Sequence, residues 1–308
     1  MDINVSIILL NYNNAALTLN CINSIFEKTP KSVSFEIIIV DNASKYSDYE
    51  HLKSGIDTLN YSNVSLHRSR INTGFAAGNM QGIQYAKGQH IALINNDVLL
   101  VEDCFSPLIA HLEQFKNHGA LGIQPIYEDG EKQVAFGHFD TFATRFLGYW
   151  LYEKLNPKKT KRHGDYKAPI ETDFVIGSFM FFRAEDLYKV GGLDSNLFLY
   201  YEEMDVCKRL KNIGLKSVFI PTINYIHLCG RSTNIGYQKK IELKISHLYI
   251  IRKNHGYLQY LLLKYLYIII FSFKSLVKPK HFKLAVALIK MGAPLANSLK
   301  HQQIILEK

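Results

Sequence analysis

Three carboxylates within four residues, Glu202, Glu203 and Asp205, follow Tyr200 and Tyr201 at the start of a stretch with helical periodicity. Acids in a first helical turn gain about 0.3–1 kcal/mol each from the helix dipole. One or two acids would satisfy that effect. A third, beside two tyrosines, points to a site in which one carboxylate stays ionised as a general base. Another acid, Asp97, ends the run Asn95-Asn96-Asp97. At the ligand-binding edge of a sheet it would hold a divalent cation; as a turn residue it would only cap the next segment. His227 offers either a further metal ligand through a neutral imidazole or a satisfied histidine in an apolar strand. A cation and a base together suit a displacement in which a diphosphate leaves and a hydroxyl attacks.

These residues need elements to position them. Residues 5–10, 35–40 and 90–94 are continuous apolar runs, stopped by Asn11-Tyr12-Asn13-Asn14, Asp41-Asn42 and Asn95-Asn96-Asp97. Uninterrupted runs imply strands buried on both faces. Helical patterns at 15–28 and 75–86 separate them, predicting an α/β fold with a parallel sheet. In such sheets ligands bind at the carboxyl ends of the strands, so three Asn/Asp-rich stops describe one cleft. Turn and cap chemistry accounts for any one stop, less readily for three. Residues 137–169 lose this regularity, turning aromatic and then basic (Lys158, Lys159, Lys161, Arg162). They read as a long loop or insertion over the cleft, or as a solvated loop. A strand at 174–182 and a short helix at 184–190 ending at Gly191-Gly192 follow. The helix at 202–213 packs by Val206, Leu210 and Ile213, with Gly214 as its C-cap. Short strand segments then flank Pro221, at 217–220 and 223–228.

At 308 residues, 47% hydrophobic and 20% charged, the chain is globular, with one large domain and an appendage or two small domains. Residues 230–308 contain 14 Lys/Arg against Glu242 and Glu307, a balance of +12 in a chain of net charge +9. The basic charge is therefore a property of the tail, which argues against nucleic acid as partner and for an anionic membrane surface. The four cysteines, Cys21, Cys104, Cys207 and Cys229, form no C-x-x-C pair, and the cytoplasm is the expected compartment. The amino terminus lacks a basic region before its apolar run and reads as a strand instead of a signal peptide. Residues 257–273 are apolar almost all round, and lysines follow at 274, 278, 280 and 283. An interfacial helix with a basic border is the leading expectation, ahead of a core-packing helix or a bilayer span.

The ordered set Val5-Ser6-Ile7-Ile8-Leu9-Leu10-Asn11-Tyr12-Asn13, Val40-Asp41-Asn42-Ala43-Ser44, Asn72-Thr73-Gly74-Phe75, Asn95-Asn96-Asp97, Gly191-Gly192-Leu193-Asp194 and Tyr200-Tyr201-Glu202-Glu203-Met204-Asp205 resembles glycosyltransferase family 2. Within it, the chain is most similar to bacterial rhamnosyltransferase-like enzymes of O-antigen and capsule assembly, over about residues 3–255. The resemblance implies a GT-A fold, an inverting mechanism and Mg²⁺ or Mn²⁺. It implies a catalytic domain at 1–235, with a nucleotide-binding half at 1–100 and an acceptor half at 101–235, and a helical, membrane-associating tail at 236–308. By position, Asp41 contacts the nucleobase, Asn11 and Asn13 line the same pocket, and Asn72 meets the nucleotide. Asn95, Asn96 and Asp97 stand for the family's Asp-x-Asp motif, with Asn95 replacing its first acid. Glu203 falls where the family has its catalytic Asp, Glu202 precedes it, and the choice between them stays open. His227, ahead of Gly230-Arg231-Ser232, resembles the metal-binding His. The implied donor is dTDP-L-rhamnose or a UDP-hexose. The implied acceptor is a glycan on a polyprenyl diphosphate, at the inner face of the cytoplasmic membrane. A non-catalytic, sugar-nucleotide-binding scaffold subunit is the alternative. An oxidoreductase would carry G-x-G-x-x-G after the first strand, and a nucleotidyltransferase a Gly-rich basic loop; neither is present.

Overall fold

The structure is a computed structural model that describes residues 3–228, 236–290 and 295–306. Four parallel strands build its first half: β1 (Val5–Asn11), β2 (Phe35–Asn42), β3 (Val64–Ser69) and β4 (His90–Asn95). The connecting helices are α1 (Ala15–Lys28), α2 (Tyr46–Leu59) and α3 (Gly74–Ile83). Ile7, Leu9, Ile37, Ile39, Ala92 and Ile94 enter one core cluster, and their sequence neighbours Ile8, Ile38, Ile91 and Leu93 enter another. Side chains alternate across a strand, so burial of both faces requires the continuous apolar runs. β3, at the sheet edge, reads Val-Ser-Leu-His-Arg-Ser and is largely half-buried. It has no such run and carries no strand signal in the sequence.

The sheet continues through β5 (Val98–Leu100), β6 (His118–Ile126), β8 (Ile170–Thr172), β10 (Phe179–Arg183) and β11 (Lys216–His227). Its order is β3-β2-β1-β4-β10-β6-β11-β5, with β8 also on β11. The packing helices include α4 (Phe105–Gln114), α6 (Ala184–Lys189) and α7 (Glu202–Asn212). The expected strand at 174–182 is two: β9 (Phe174–Val175) pairs with β7 (Phe136–Gly137) in a small separate sheet, and β10 joins the main one. Conversely, 217–220 and 223–228 belong to a single strand. β11 runs through Pro221, and its register against β6 shifts between Ile220 and Asn224. A bulge there accommodates the missing N–H of proline. The irregular stretch after 137 contains α5 (Phe142–Leu155), started by a reciprocal Thr141/Thr144 capping box and broken at Gly148.

The tail holds α8 (Tyr237–Val277) and α9 (Phe282–Lys290). A straight α8 would separate residues twenty apart by about 30 Å. Instead His247 Nδ1 lies 2.6 Å from Tyr267 Oη, because the chain folds back at Gly256, where φ is +84° and ψ is 177°. α8 is thus a hairpin of two arms, 237–255 and 257–277. The first arm docks on the sheet domain: Ile250 enters the core, Ser246 Oγ donates to Leu199 O at 2.8 Å, and Lys253 Nζ lies 2.7 Å from both Asp194 and Asp205. The second arm buries Tyr260, Leu263 and Tyr267 against Ile245, Leu248 and Ile251 of the first and Leu284 and Leu288 of α9. Its other face exposes Leu258, Leu262, Tyr265, Ile269 and Phe273.

Candidate active site

Strand register brings Asp97 and His227 together. β11 runs antiparallel to β5 with His227 opposite Val98, and the Leu228 N–H donates to Asp97 O at 3.0 Å. His227 Nε2 then lies 3.5 Å from the Oδ1 of the buried Asp97. On its other side, Nδ1 is 3.2 Å from Gln133 Oε1, and Gln133 Nε2 donates to the His227 carbonyl at 2.8 Å. A ring held with Nδ1–H towards Gln133 leaves the Nε2 lone pair facing Asp97. A carboxylate oxygen and an imidazole nitrogen at this spacing fit a shared divalent cation. Among the described residues there is no group of three or more His, Cys, Asp or Glu suited to a metal. Two protein ligands would leave the other positions to phosphate and water. In the same turn Asn95 Oδ1 is buried without a hydrogen-bond partner. Gly230-Arg231-Ser232 lies outside the described residues.

The acid cluster is launched from an unusual turn. Tyr200 and Tyr201 both have positive φ, 77° and 72°, a strained pair that its surroundings must hold. Arg145 Nη2 donates to Tyr201 Oη at 3.0 Å, and the Tyr201 ring stacks on His247 at 4.6 Å. Behind them sits Asp140, fully buried, bonded by Arg145 and Tyr149 and 3.1 Å from His247 Nε2. Burial alone would raise the Asp140 pKa, but His247, Arg145 and Tyr149 bring it down to about 2. Burial lowers that of His247 to about 4. α5 and the first arm of α8 therefore clamp the turn that precedes α7.

The three acids have different fates. Asp205 is ion-paired with Arg209 and Lys253, a structural role. Glu202 is buried, its Oε1 has no hydrogen-bond partner, and burial followed by the charge of Glu203 pushes its pKa far up. Glu203 is half-buried and lies over Gly177, where a Cβ would stand 3.5 Å from Glu203 Oε2. The adjacent Ser178 accepts the Asn95 N–H at 3.0 Å, and its Oγ is 2.7 Å from Tyr225 Oη, two residues before His227. The break between β9 and β10 thus links Glu203 to the Asp97/His227 pair. Burial raises the Glu203 pKa to about 7.

At the other end of the strand edge, one hydrogen-bonded chain crosses three loops. Asn11 Nδ2 donates to Asp41 Oδ1 at 2.9 Å, Thr18 Oγ1 to Asn11 Oδ1 at 2.9 Å, and Asn96 Nδ2 to Thr18 Oγ1 at 3.0 Å. Asn11 and Asp41 are fully buried. Asn13, exposed at φ 56°, accepts the Lys45 N–H. Asn72 Oδ1 accepts from Gly74 N and from Asn42 Nδ2, and Asn42 also holds Thr73 and the Gly74 carbonyl. Asn42, Gln133 and the Asp140/His247 clamp were not singled out from sequence. Asn42 stood within a quoted motif, whereas the others have no local pattern. Arg68, from the overlooked β3, packs on Tyr49 at 4.1 Å and approaches Asp41 Oδ2 at 3.8 Å.

A mixed, mostly parallel sheet covered by helices, with polar and acidic residues gathered at one edge, is the GT-A architecture of nucleotide-sugar enzymes. The sequence profile described as glycosyl transferase family 2 matches residues 6–191, and the chain belongs to that family of glycosyltransferases. It is similar to the rhamnosyltransferase WbbL of Escherichia coli K12, with 24% identity over 192 residues, covering 58% of this chain and 71% of that protein. Among solved structures it is similar to GalNAc-T7 with UDP, GalNAc and Mn²⁺ (TM-score 0.58, 18% identity, 79% of this chain and 48% of that one). It also matches the mannosyltransferase PcManGT of Pyrobaculum calidifontis with GDP-Man and Mn²⁺ (TM-score 0.56, 15% identity, 95% and 77%). The chain spans about half of GalNAc-T7, and likeness at these identities concerns the fold.

Proposed function

We propose that this glycosyltransferase moves a sugar from a nucleoside-diphosphate donor onto a glycan hydroxyl with inversion, and that Glu203 is its base. Glu203 takes the proton from the acceptor hydroxyl as that oxygen bonds to the anomeric carbon; the bond to the diphosphate breaks and the electron pair leaves with phosphate. Glu202, buried and with its pKa pushed far up, does not serve. Asp97 and His227 would hold Mg²⁺ or Mn²⁺, which supplies charge neutralisation for the diphosphate. Asn11, Asn13, Asp41 and Asn72 form the nucleotide end, and Asn95 and Asn96 complete the turn that carries Asp97.

The observation that carries this reading is the approach of His227 to Asp97, 3.5 Å, beside the Gly177-Ser178 break that seats Glu203. The rhamnosyltransferase relative makes dTDP-L-rhamnose the first donor to test, with UDP-hexoses next. The proposed acceptor is a lipid-linked surface-polysaccharide precursor, met at the cytoplasmic face of the membrane through the exposed arm of α8. We assign donor binding to residues 1–100, acceptor binding to 101–235 and membrane contact to 236–308.

The test is a panel of dTDP-, UDP- and GDP-sugars with Mn²⁺ or Mg²⁺, read by thermal stabilisation and by nucleotide release. One donor should stabilise the wild type, and Asp97→Ala should abolish the effect. Turnover should rise with pH through about 7, as Glu203 ionises, and Glu203→Gln should fall by roughly 100-fold or more. Near-normal turnover in Glu203→Gln would reject the assignment.

A further inference from the structure

Past α9 the chain returns to the sheet domain and is fastened along its way. Ser298 Oγ and the Leu299 N–H donate to the two oxygens of Glu242 at 2.7 and 2.8 Å. Lys300 Nζ donates to Ser195 O at 2.7 Å. At the far end the Leu306 N–H donates to Arg70 O at 2.7 Å, and Arg70 Nε donates back to Leu306 O at 3.2 Å. Glu242 is buried at 1% exposure with the strap in place, and Ser298 and Leu299 bond one carboxylate oxygen each. The segment is therefore a docked part of the fold.

Its course ends two residues before Asn72. Between strap and cleft lies a cavity of about 540 Å³, with Tyr12 and Asn72 of the donor edge on one side. On the other side are Tyr237 and Lys239 from the first turn of α8, and Leu299 and Gln303 from the strap. Both ends of the tail thus meet at one opening. The volume lies in the range of small-molecule sites, which is roughly 300–1,000 Å³. The wall chemistry suits a nucleoside diphosphate sugar. Tyr12 and Tyr237 present exposed aromatic faces for a flat ring and Lys239 brings a cation. Asn72 Oδ1 is taken by Gly74 N and Asn42 Nδ2, and Gln303 Nε2 donates to Leu299 O at 2.9 Å, so the groups offered to a ligand are Asn72 Nδ2 and Gln303 Oε1.

We infer that residues 299–306 form the outer wall of the donor pocket, with Gln303 and Tyr237 in contact with the bound nucleoside diphosphate sugar. The inference rests on the donor site proposed above. It places donor-selecting residues outside the segment 6–191 that matches the family, so related chains with different tails would differ in donor.

The experiment uses the full chain with UDP, dTDP and GDP in the presence of Mn²⁺. Binding is measured by calorimetry and backbone amide exchange is followed in 298–306. For the nucleotide that binds, exchange at Leu299 and Leu306 should slow on saturation. Gln303→Ala should weaken binding roughly 3- to 10-fold, the worth of one hydrogen bond. Leu306→Pro, which removes the N–H given to Arg70, should weaken it similarly. Because Gln303 Nε2 also donates to Leu299 O at 2.9 Å, the unliganded melting temperature and the unliganded exchange at Leu306 are measured for Gln303→Ala; unchanged values separate a lost ligand contact from a loosened strap. Wild-type binding with unchanged exchange and unchanged affinity in both variants would overturn the wall while leaving the donor site intact. No binding by the wild type would overturn the donor site itself, and the wall with it.

Discussion

At the residue scale, two adjacent glutamates differ in burial, Glu202 buried and Glu203 half-buried, and their variants separate them. Burial and then the charge of Glu203 raise the Glu202 pKa in the folded state well above its ordinary value, whereas in the unfolded chain it ionises in the ordinary carboxylate range. Its folded pKa is raised, so folding takes up a proton and stability falls as pH rises above about 4.5. Glu202→Gln keeps the shape and removes that proton uptake. The variant should melt higher than the wild type at pH 8, and the gap should close at pH 4. Its turnover should stay within about 3-fold of wild type, in contrast to Glu203→Gln. Scanning calorimetry at both pH values, with a nucleotide-release assay, decides it; a large loss of turnover in Glu202→Gln would exchange the two roles. The sequence showed that acids cluster here, because residue type is visible. Which acid faces the cleft depends on the phase of α7, which the positive-φ pair Tyr200-Tyr201 sets. That conformation is held by Arg145 and His247, residues from α5 and α8 with no sequence proximity to it.

At the element scale, the start of α3 and the loop ahead of α7 are pressed together at one glycine. Gly74 has φ +82°, and a Cβ there would stand 2.8 Å from Phe198 Cα and closer still to the Phe198 carbonyl oxygen. That same carbonyl accepts the Phe75 N–H at 2.7 Å, so it cannot withdraw without loss of the bond. Gly74→Ala should destabilise the fold by about 2 kcal/mol or more, from backbone strain together with the steric conflict. Gly130→Ala is the control: its φ is +87°, but no atom lies within 4 Å of the added Cβ, so only a backbone cost of about 1 kcal/mol is due. Urea unfolding of both variants measures the difference; equal losses would show that φ alone governs position 74. Elements were legible where their pattern is local. α1 and the runs that became β1, β2 and β4 stand in the periodicity, because burial on both faces leaves no polar residue to interrupt them. β3 is an edge strand with mixed residues, and β11 conceals a bulge behind Pro221. The fold-back at Gly256 is likewise silent, since both arms read as helix and only tertiary pairing shows their reversal.

At the scale of the whole molecule, charge and apolar surface converge on one feature. The second arm of α8 exposes Leu258, Leu262, Tyr265, Ile269, Phe273 and Leu276, whose spacing of three and four residues places them on one face. The described residues hold one helix long and apolar enough to cross a membrane, and only 17% of its apolar window is buried within the protein. Its inner face is already committed to the first arm and α9, which leaves the outer face open to contact from one side, the geometry an interfacial helix needs. Lys274, Lys278 and Lys283 border it, in a tail that carries +12. Each lysine near an anionic bilayer adds about 1 kcal/mol, and that part alone is screened by salt. The two contributions predict different failures in vesicle co-sedimentation. The wild type should bind phosphatidylglycerol vesicles at low salt and bind neutral vesicles more weakly. Leu262→Glu with Ile269→Glu should lose binding to both at any salt, while Lys274→Glu with Lys278→Glu should lose only the anionic preference. These side chains point outward, so melting temperatures should hold. A wild type that ignores both vesicles and sediments as a dimer would make the face a protein interface instead. If it binds, the first arm gives the attachment its catalytic meaning: Lys253 grips Asp205 and His247 supports Tyr201. The surface that meets lipid would then be built on the same hairpin that holds the turn ahead of Glu203, and the proposed lipid-linked acceptor would reach the proposed base without leaving its membrane.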